Sequence, residues 1–83
     1  MTSTELNDTI KRIIGDLTAI VPSEIQASDR LREDLGMDSV SSMELISMLS
    51  EELAIDVELE EAMDIKDIAG IIALAKGRLN APA

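Results

Sequence analysis

Apolar residues recur at Leu6, Ile10, Ile13, Ile14, Leu17 and Ile20. Steps of three and four place all of them on one face of a helix. Thr2 with Glu5, or Thr4 alone, stands where a cap for its first turn belongs. Val21-Pro22 should close the helix, because the residue ahead of a proline avoids the α region. Gly15 lies inside it at a cost of about 1 kcal/mol relative to alanine; a close crossing with another helix would explain that choice. Residues 22 to 37 hold no sustained period, a long connection for a chain of this size. A short turn is expected from Pro22 to Ile25, and Ile25, Leu31 and Leu35 are spaced to pin the loop over the core. Gly36 then supplies a sharp bend.

A second helix is predicted from Ser39 to Leu53, with Asp38 as N-cap. It has two distinct faces. At about 100° per residue, Leu45, Ile46, Leu49 and Leu53 share one face, beside the small Ser42. Val40, Met43 and Ser47 fall roughly opposite, flanked by Glu44 and Glu51. The first face is an ordinary core stripe. The second is either covered by a partner or an instance of the scattered apolar exposure common on protein surfaces.

Ala54 to Glu58 reads as a short extended link from which Ile55 or Val57 could plug the core. Leu59 to Met63 could form one helical turn with Ala62 and Met63 packed inward. Asp67 is a natural N-cap for a last helix, whose buried stripe is Ile68, Ile71, Ile72 and Ala75. Lys76 and Arg78 suit its C-terminal end, and Asn80 to Ala83 should fray. The elements add up to an all-α fold, a small four-helix bundle. It has three main helices plus one short helix, and a long loop between helices 1 and 2. One domain is expected over residues 1–83.

Composition narrows the function. Hydrophobic residues make up 46% of the chain, enough for a core, so disorder is not expected. No aromatic residue is available, and the core must be Ile, Leu, Val, Met and Ala. Seven basic residues face seventeen acidic ones, for a net charge of −10. Nucleic acid is therefore not expected as a partner, and basic protein surfaces are. General solubility is the plainer reason for such a charge. No apolar run approaches a membrane span. Met1 to Glu5 lacks the basic stretch and apolar run of a signal peptide, so a cytoplasmic protein is expected; a monomer is expected as well.

Candidate chemistry converges on Ser39, at the start of the second helix. The chain has no His, which excludes a Ser-His-Asp triad, and no Gly-x-Ser-x-Gly elbow surrounds the serine. Neither Lys11 nor Lys66 is expected near it. With no His, no Cys and no calcium-loop pattern, no metal site is expected either. No residue is assigned as catalytic. Ser39 is read as a site of modification, against the alternative of an ordinary helix-start serine.

The run Asp34-Leu35-Gly36-Met37-Asp38-Ser39-Val40 resembles the attachment motif of acyl carrier proteins. The likeness extends from about Leu6 to Leu74, including Lys11 to Gly15 and Ser50 to Leu53. It implies a covalent 4′-phosphopantetheine on Ser39, with Asp38 as the acid that precedes it. It implies a docking surface of Val40, Met43, Glu44, Ser47 and Glu51, and an acyl cleft lined by Leu49, Ala62, Ile65 and Ile68. Of the two core plugs it favours Val57. The protein would be a carrier rather than an enzyme. It would present acyl thioesters to partners in fatty-acid, polyketide or related lipid synthesis. Those partners would be a phosphopantetheinyl transferase, acyl transferases or synthetases, and ketosynthases, met through basic surfaces. Ser41, Glu58 and Leu53 depart from an acid, a proline and a phenylalanine common in the fatty-acid carriers, and leave the pathway open. The alternatives are an aminoacyl or peptidyl carrier, whose second glycine is missing from Gly36-Met37-Asp38-Ser39, and an acidic helical adaptor without a prosthetic group.

Overall fold

Thr2 opens α1 (Ser3–Thr18) with a capping box: its hydroxyl accepts from the Glu5 amide, and the Glu5 carboxylate accepts from the Thr2 amide. The computed structural model describes residues 2–80. A 3-10 turn over Pro22–Glu24 follows, then α2 (Ser39–Leu53), the short α3 (Leu59–Met63) and α4 (Ile68–Asn80). The predicted all-α arrangement of three main helices, one short helix and a long first loop is therefore what the chain adopts. Asn80, where fraying is expected to begin, still belongs to α4, and the fraying expected from there to Ala83 otherwise lies outside the described residues.

α1 stops earlier than the Val21-Pro22 signal indicates. Ala19 takes a left-handed conformation (φ 62°), and its amide closes onto the Gly15 carbonyl at 2.8 Å. Thr18 donates its hydroxyl to the Ile14 carbonyl at 2.8 Å and receives the Ile20 amide at 3.3 Å. These local bonds end the helix before proline can. Ile20 still packs against the core from outside the helix. Gly15 also has a reason other than a helix crossing. A Cβ there would stand 2.8 Å from the Ile20 carbonyl oxygen and 3.1 Å from Pro22 Cγ, so the glycine makes room for the chain's own exit turn.

The core gathers Leu6, Ile10, Ile13 and Ile14 from α1, Leu45, Ile46, Leu49 and Leu53 from α2, and Ile68, Ile71 and Ala75 from α4. α1 packs against both α2 and α4, and α3 packs against α2. No polar or charged residue is buried among the described residues. The loop anchors Ile25, Leu31 and Leu35 are buried as expected, and Met37, which no periodicity marks, is buried with them. Ile55 and Val57 both pack partly against the core. In α3, Ala62 turns inward, whereas Met63 is 67% exposed, contrary to expectation. Met63 lies one helical turn after Leu59, and both are exposed, on the side of α3 away from the core that Ala62 meets. Arg78 of α4 donates to both carboxylate oxygens of Glu61 and ties the short helix down.

Candidate functional site

The loop before α2 is held by backbone bonds to the far end of the chain. The Leu31 amide donates to the Lys66 carbonyl at 2.8 Å, the Ile68 amide to the Asp29 carbonyl at 3.0 Å, and the Ala69 amide to the Ala27 carbonyl at 2.9 Å. An antiparallel bridge pairs Arg30 with Asp67. Within the loop, the Arg30 amide donates to Asp34 at 2.7 Å, and the Arg30 side chain reaches the same oxygen at 3.3 Å. Those bonds hold the Asp34 carboxyl below the ordinary carboxylate range, the backbone bond contributing most. Gly36 makes the bend with φ 67°, and the Met37 amide returns to the Leu31 carbonyl at 2.8 Å. Asp38 and Ser39 leave this turn at a set position.

Asp38 caps α2 through its carboxylate, which accepts from the Ser41 amide at 2.9 Å. That bond is the largest cause holding the Asp38 carboxyl below its usual range. A carboxyl lowered on folding adds stability that is present above its ordinary value of about 3.9. That stability is lost as pH falls through the lower folded value. Asp38→Asn keeps an acceptor for the Ser41 amide without the charge. The difference in melting temperature between wild type and Asp38→Asn, followed by circular dichroism, should therefore shrink as pH drops from neutral to below about 4. A constant difference would mean that the charge has no part in the cap.

Ser39 is exposed at the first position of α2, at the edge of a cavity of about 490 Å³. Buried Leu31, Leu45, Ile46, Ala62 and Ile71, with half-buried Ile65, give the cavity its apolar lining. Met43, Leu59 and Met63 line it as well and are exposed to solvent. Arg30, Arg32, Glu33 and Lys66 supply its charges. Of the residues expected to line a cleft, Ala62 and Ile65 do line this cavity. Leu49 and Ile68 are almost fully buried in the core and do not. The proposed docking residues Val40, Met43, Glu44, Ser47 and Glu51 are all exposed on α2, with Val40 at 63%. The core stripe on the other side of the same helix is buried as predicted.

In the sequence Arg32 is not marked as a site residue, and Lys66 is expected away from Ser39. Arg32 donates to the Ser39 hydroxyl oxygen at 3.4 Å, and Lys66, not expected near the serine, lines the same cavity. Arg32 carries one faint signal, its alternation with Arg30 around Leu31 in an otherwise acidic stretch. Lys66 carries none. The group that meets the Ser39 oxygen is a guanidinium, which has N–H donors and no acceptor, so it cannot take the serine's proton. Among the described residues, the side-chain hydrogen bond made to Ser39 comes from Arg32.

Residues 8–75 match the family described as the phosphopantetheine attachment site. The chain is an acyl carrier protein by family. It is 28% identical over 81 residues to the acyl carrier protein of Thermosynechococcus vestitus, covering 98% of this chain and 100% of that one. It is 35% identical over 65 residues to the acyl carrier protein of Rickettsia bellii, covering 78% of this chain and 76% of the relative. The structure superposes on that of the acyl carrier protein from Enterococcus faecalis with a TM-score of 0.79 at 23% identity, covering 94% and 99% of the two chains. Carriers of this family are not enzymes; they bear 4′-phosphopantetheine and serve synthases and transferases. The residues in place fit that group. An exposed hydroxyl that accepts from a guanidinium suits an anionic phosphoester, and a cavity with an apolar wall lies beside it. Among the described residues, no helix is long and apolar enough to cross a membrane.

Proposed function

We propose that Ser39 is the residue of this acyl carrier that bears the 4′-phosphopantetheine arm, and that the chain delivers acyl groups in fatty-acid, polyketide or related lipid synthesis. The observation that carries the reading is the placement of Ser39. It is exposed, it starts α2 directly after the Asp38 cap, it accepts from the Arg32 guanidinium, and it opens onto a cavity with an apolar wall. When attached, the group supplies a thiol that holds acyl chains as thioesters, which this Cys-free chain lacks by itself. The protein's own part is to fix the attachment point on a rigid helix end. It also offers the wall of Ala62 and Ile65 to an apolar chain, with Leu49 and Ile68 in the core around it. Tethering raises the effective concentration of cargo at each partner.

The partners are a phosphopantetheinyl transferase, acyl transferases or synthetases, and ketosynthases. The face of Val40, Met43, Glu44, Ser47 and Glu51 would meet them. It combines exposed apolar residues with acids, the complement of a basic surface with an apolar centre. Incubation with a broad-specificity phosphopantetheinyl transferase and coenzyme A, followed by intact mass, tests the reading. The mass should rise by one phosphopantetheine; an unchanged mass would refute it. Acylation of the product with fatty or polyketide starter groups rather than aminoacyl groups separates this reading from that of a peptidyl carrier.

Glu44→Lys should slow arm addition by about three- to ten-fold at low ionic strength, with the difference fading as salt is added, because a rim charge acts on association. Helical content should stay unchanged, since Glu44 is exposed. Equal rates for the two proteins at low salt, with every partner tried, would remove Glu44 from the docking surface.

A further inference from the structure

Three of the seven basic residues in this acidic chain, Arg30, Arg32 and Lys66, line the cavity that opens at Ser39. The arginines are engaged very differently. Arg30 faces Asp34 at 3.3 Å and Glu33 at 4.0 Å. Arg12 pairs with Glu52, and Arg78 with Glu61. Arg32 has no carboxylate within 4.0 Å among the described residues, and its terminal nitrogen donates instead to the neutral Ser39 hydroxyl at 3.4 Å. Its backbone is held in the same turn: the Gly36 amide donates to the Arg32 carbonyl at 3.1 Å, and the neighbouring Leu31 is buried. A guanidinium thus sits beside the one oxygen at which modification would create a negative charge.

We propose that Arg32 is a positioning residue for the arm: its guanidinium binds the phosphate oxygens of a phosphodiester on Ser39 and holds the arm's first bonds over the cavity. This rests on the reading of Ser39 given above. The geometry places the cation within reach before any phosphate is present, so little side-chain ordering remains to be paid for. A planar guanidinium can give two parallel N–H bonds to two phosphate oxygens, which an ammonium cannot. Glu33, on the same cavity, is near Arg30 rather than Arg32 and does not compete for that fork. Lys66 contributes positive charge to the cavity without a bond to Ser39.

The test compares apo- and holo-protein by NMR after intact mass has shown complete arm addition. The Arg32 side-chain NH resonances should shift and exchange more slowly with water in the holo form, while those of Arg30 stay in place. In holo Arg32→Gln, cross-peaks between the arm and the methyl groups of Ala62 and Ile65 should weaken by about two- to five-fold, the range for an exposed ion pair. Arg32→Lys should restore part of that loss. Lys66→Gln, which removes the same charge from the same cavity but no hydrogen bond to Ser39, should weaken the cross-peaks clearly less than Arg32→Gln does. Identical Arg32 resonances in apo- and holo-protein would overturn the proposal, as would equal weakening in Arg32→Gln and Lys66→Gln, which would indicate a diffuse field. If no arm is added at all, the mass measurement shows that the Ser39 reading has failed first, and the proposal fails with it.

Discussion

Ser39→Ala should take up no phosphopantetheine under conditions that convert the wild type completely. The expected effect is all-or-none, because the variant lacks the oxygen that forms the ester. Folding should be preserved. The helix is capped by Asp38 rather than by Ser39, and the serine side chain is exposed. A surface change of this kind alters stability by no more than about 0.5 kcal/mol. Circular dichroism and the melting temperature of the variant should therefore match wild type while its mass stays at the apo value. Ser41 and Ser42 follow closely on the same helix, which makes the experiment decisive. Arm addition to Ser39→Ala would transfer the attachment to another serine and displace the site described above.

Leu49→Ala should lower the melting temperature by about 10–30 °C, whereas Met43→Ala on the same helix should leave it nearly unchanged. Leu49 is 2% exposed and Met43 is 52% exposed. Truncating a buried leucine costs about 2–5 kcal/mol through lost transfer energy and the cavity left behind. A domain of this length has a total stability of about 4–12 kcal/mol. Each kcal/mol moves the midpoint by about 4–8 °C at this size. With no aromatic side chain in the chain, aliphatic residues carry the whole core, and no larger neighbour is available to fill the gap. Met43→Ala removes a side chain that is mostly in water and should change stability by no more than about 0.5 kcal/mol. Its cost should appear instead in partner docking. Similar midpoints for the two variants would contradict the assignment of opposite faces of α2 to core and partner.

Much of the fold could be read without tertiary information. The two faces of α2, the caps at Thr2 and Asp38, and the loop anchors Ile25, Leu31 and Leu35 all appear where the pattern places them. The misreadings share a cause. The apolar period through Ile20 correctly marks that side chain as facing the core, but periodicity reports the direction of a side chain, not whether its backbone is still helical. The Thr18 hydroxyl and the left-handed Ala19 decide that locally. Apolar character suggests an inward Met63 beside Ala62, but in the five-residue α3 only Ala62 meets the core, while Met63 shares the exposed side with Leu59. Met37 is buried because the loop folds back onto Leu31, and no period extends through a bend at glycine.

Ser39 at a helix start, its acid cap and the acid-flanked apolar stripe behind it were determined by the sequence alone. Capping spans three residues and amphipathicity spans two turns, so these are local properties of the chain. The charges around the serine were decided by tertiary structure. Arg32 comes to the Ser39 oxygen because the loop closes through Asp34, Gly36 and Met37. Lys66 reaches the same cavity because the Leu31 amide pairs with its carbonyl and Arg30 bridges to Asp67. A hydrophobic period specifies which face of an element is buried but not which distant segment covers it. In a chain of net charge −10, Arg32 is placed beside Ser39 by bonds within the loop, and Lys66 joins it through the long-range backbone pairing.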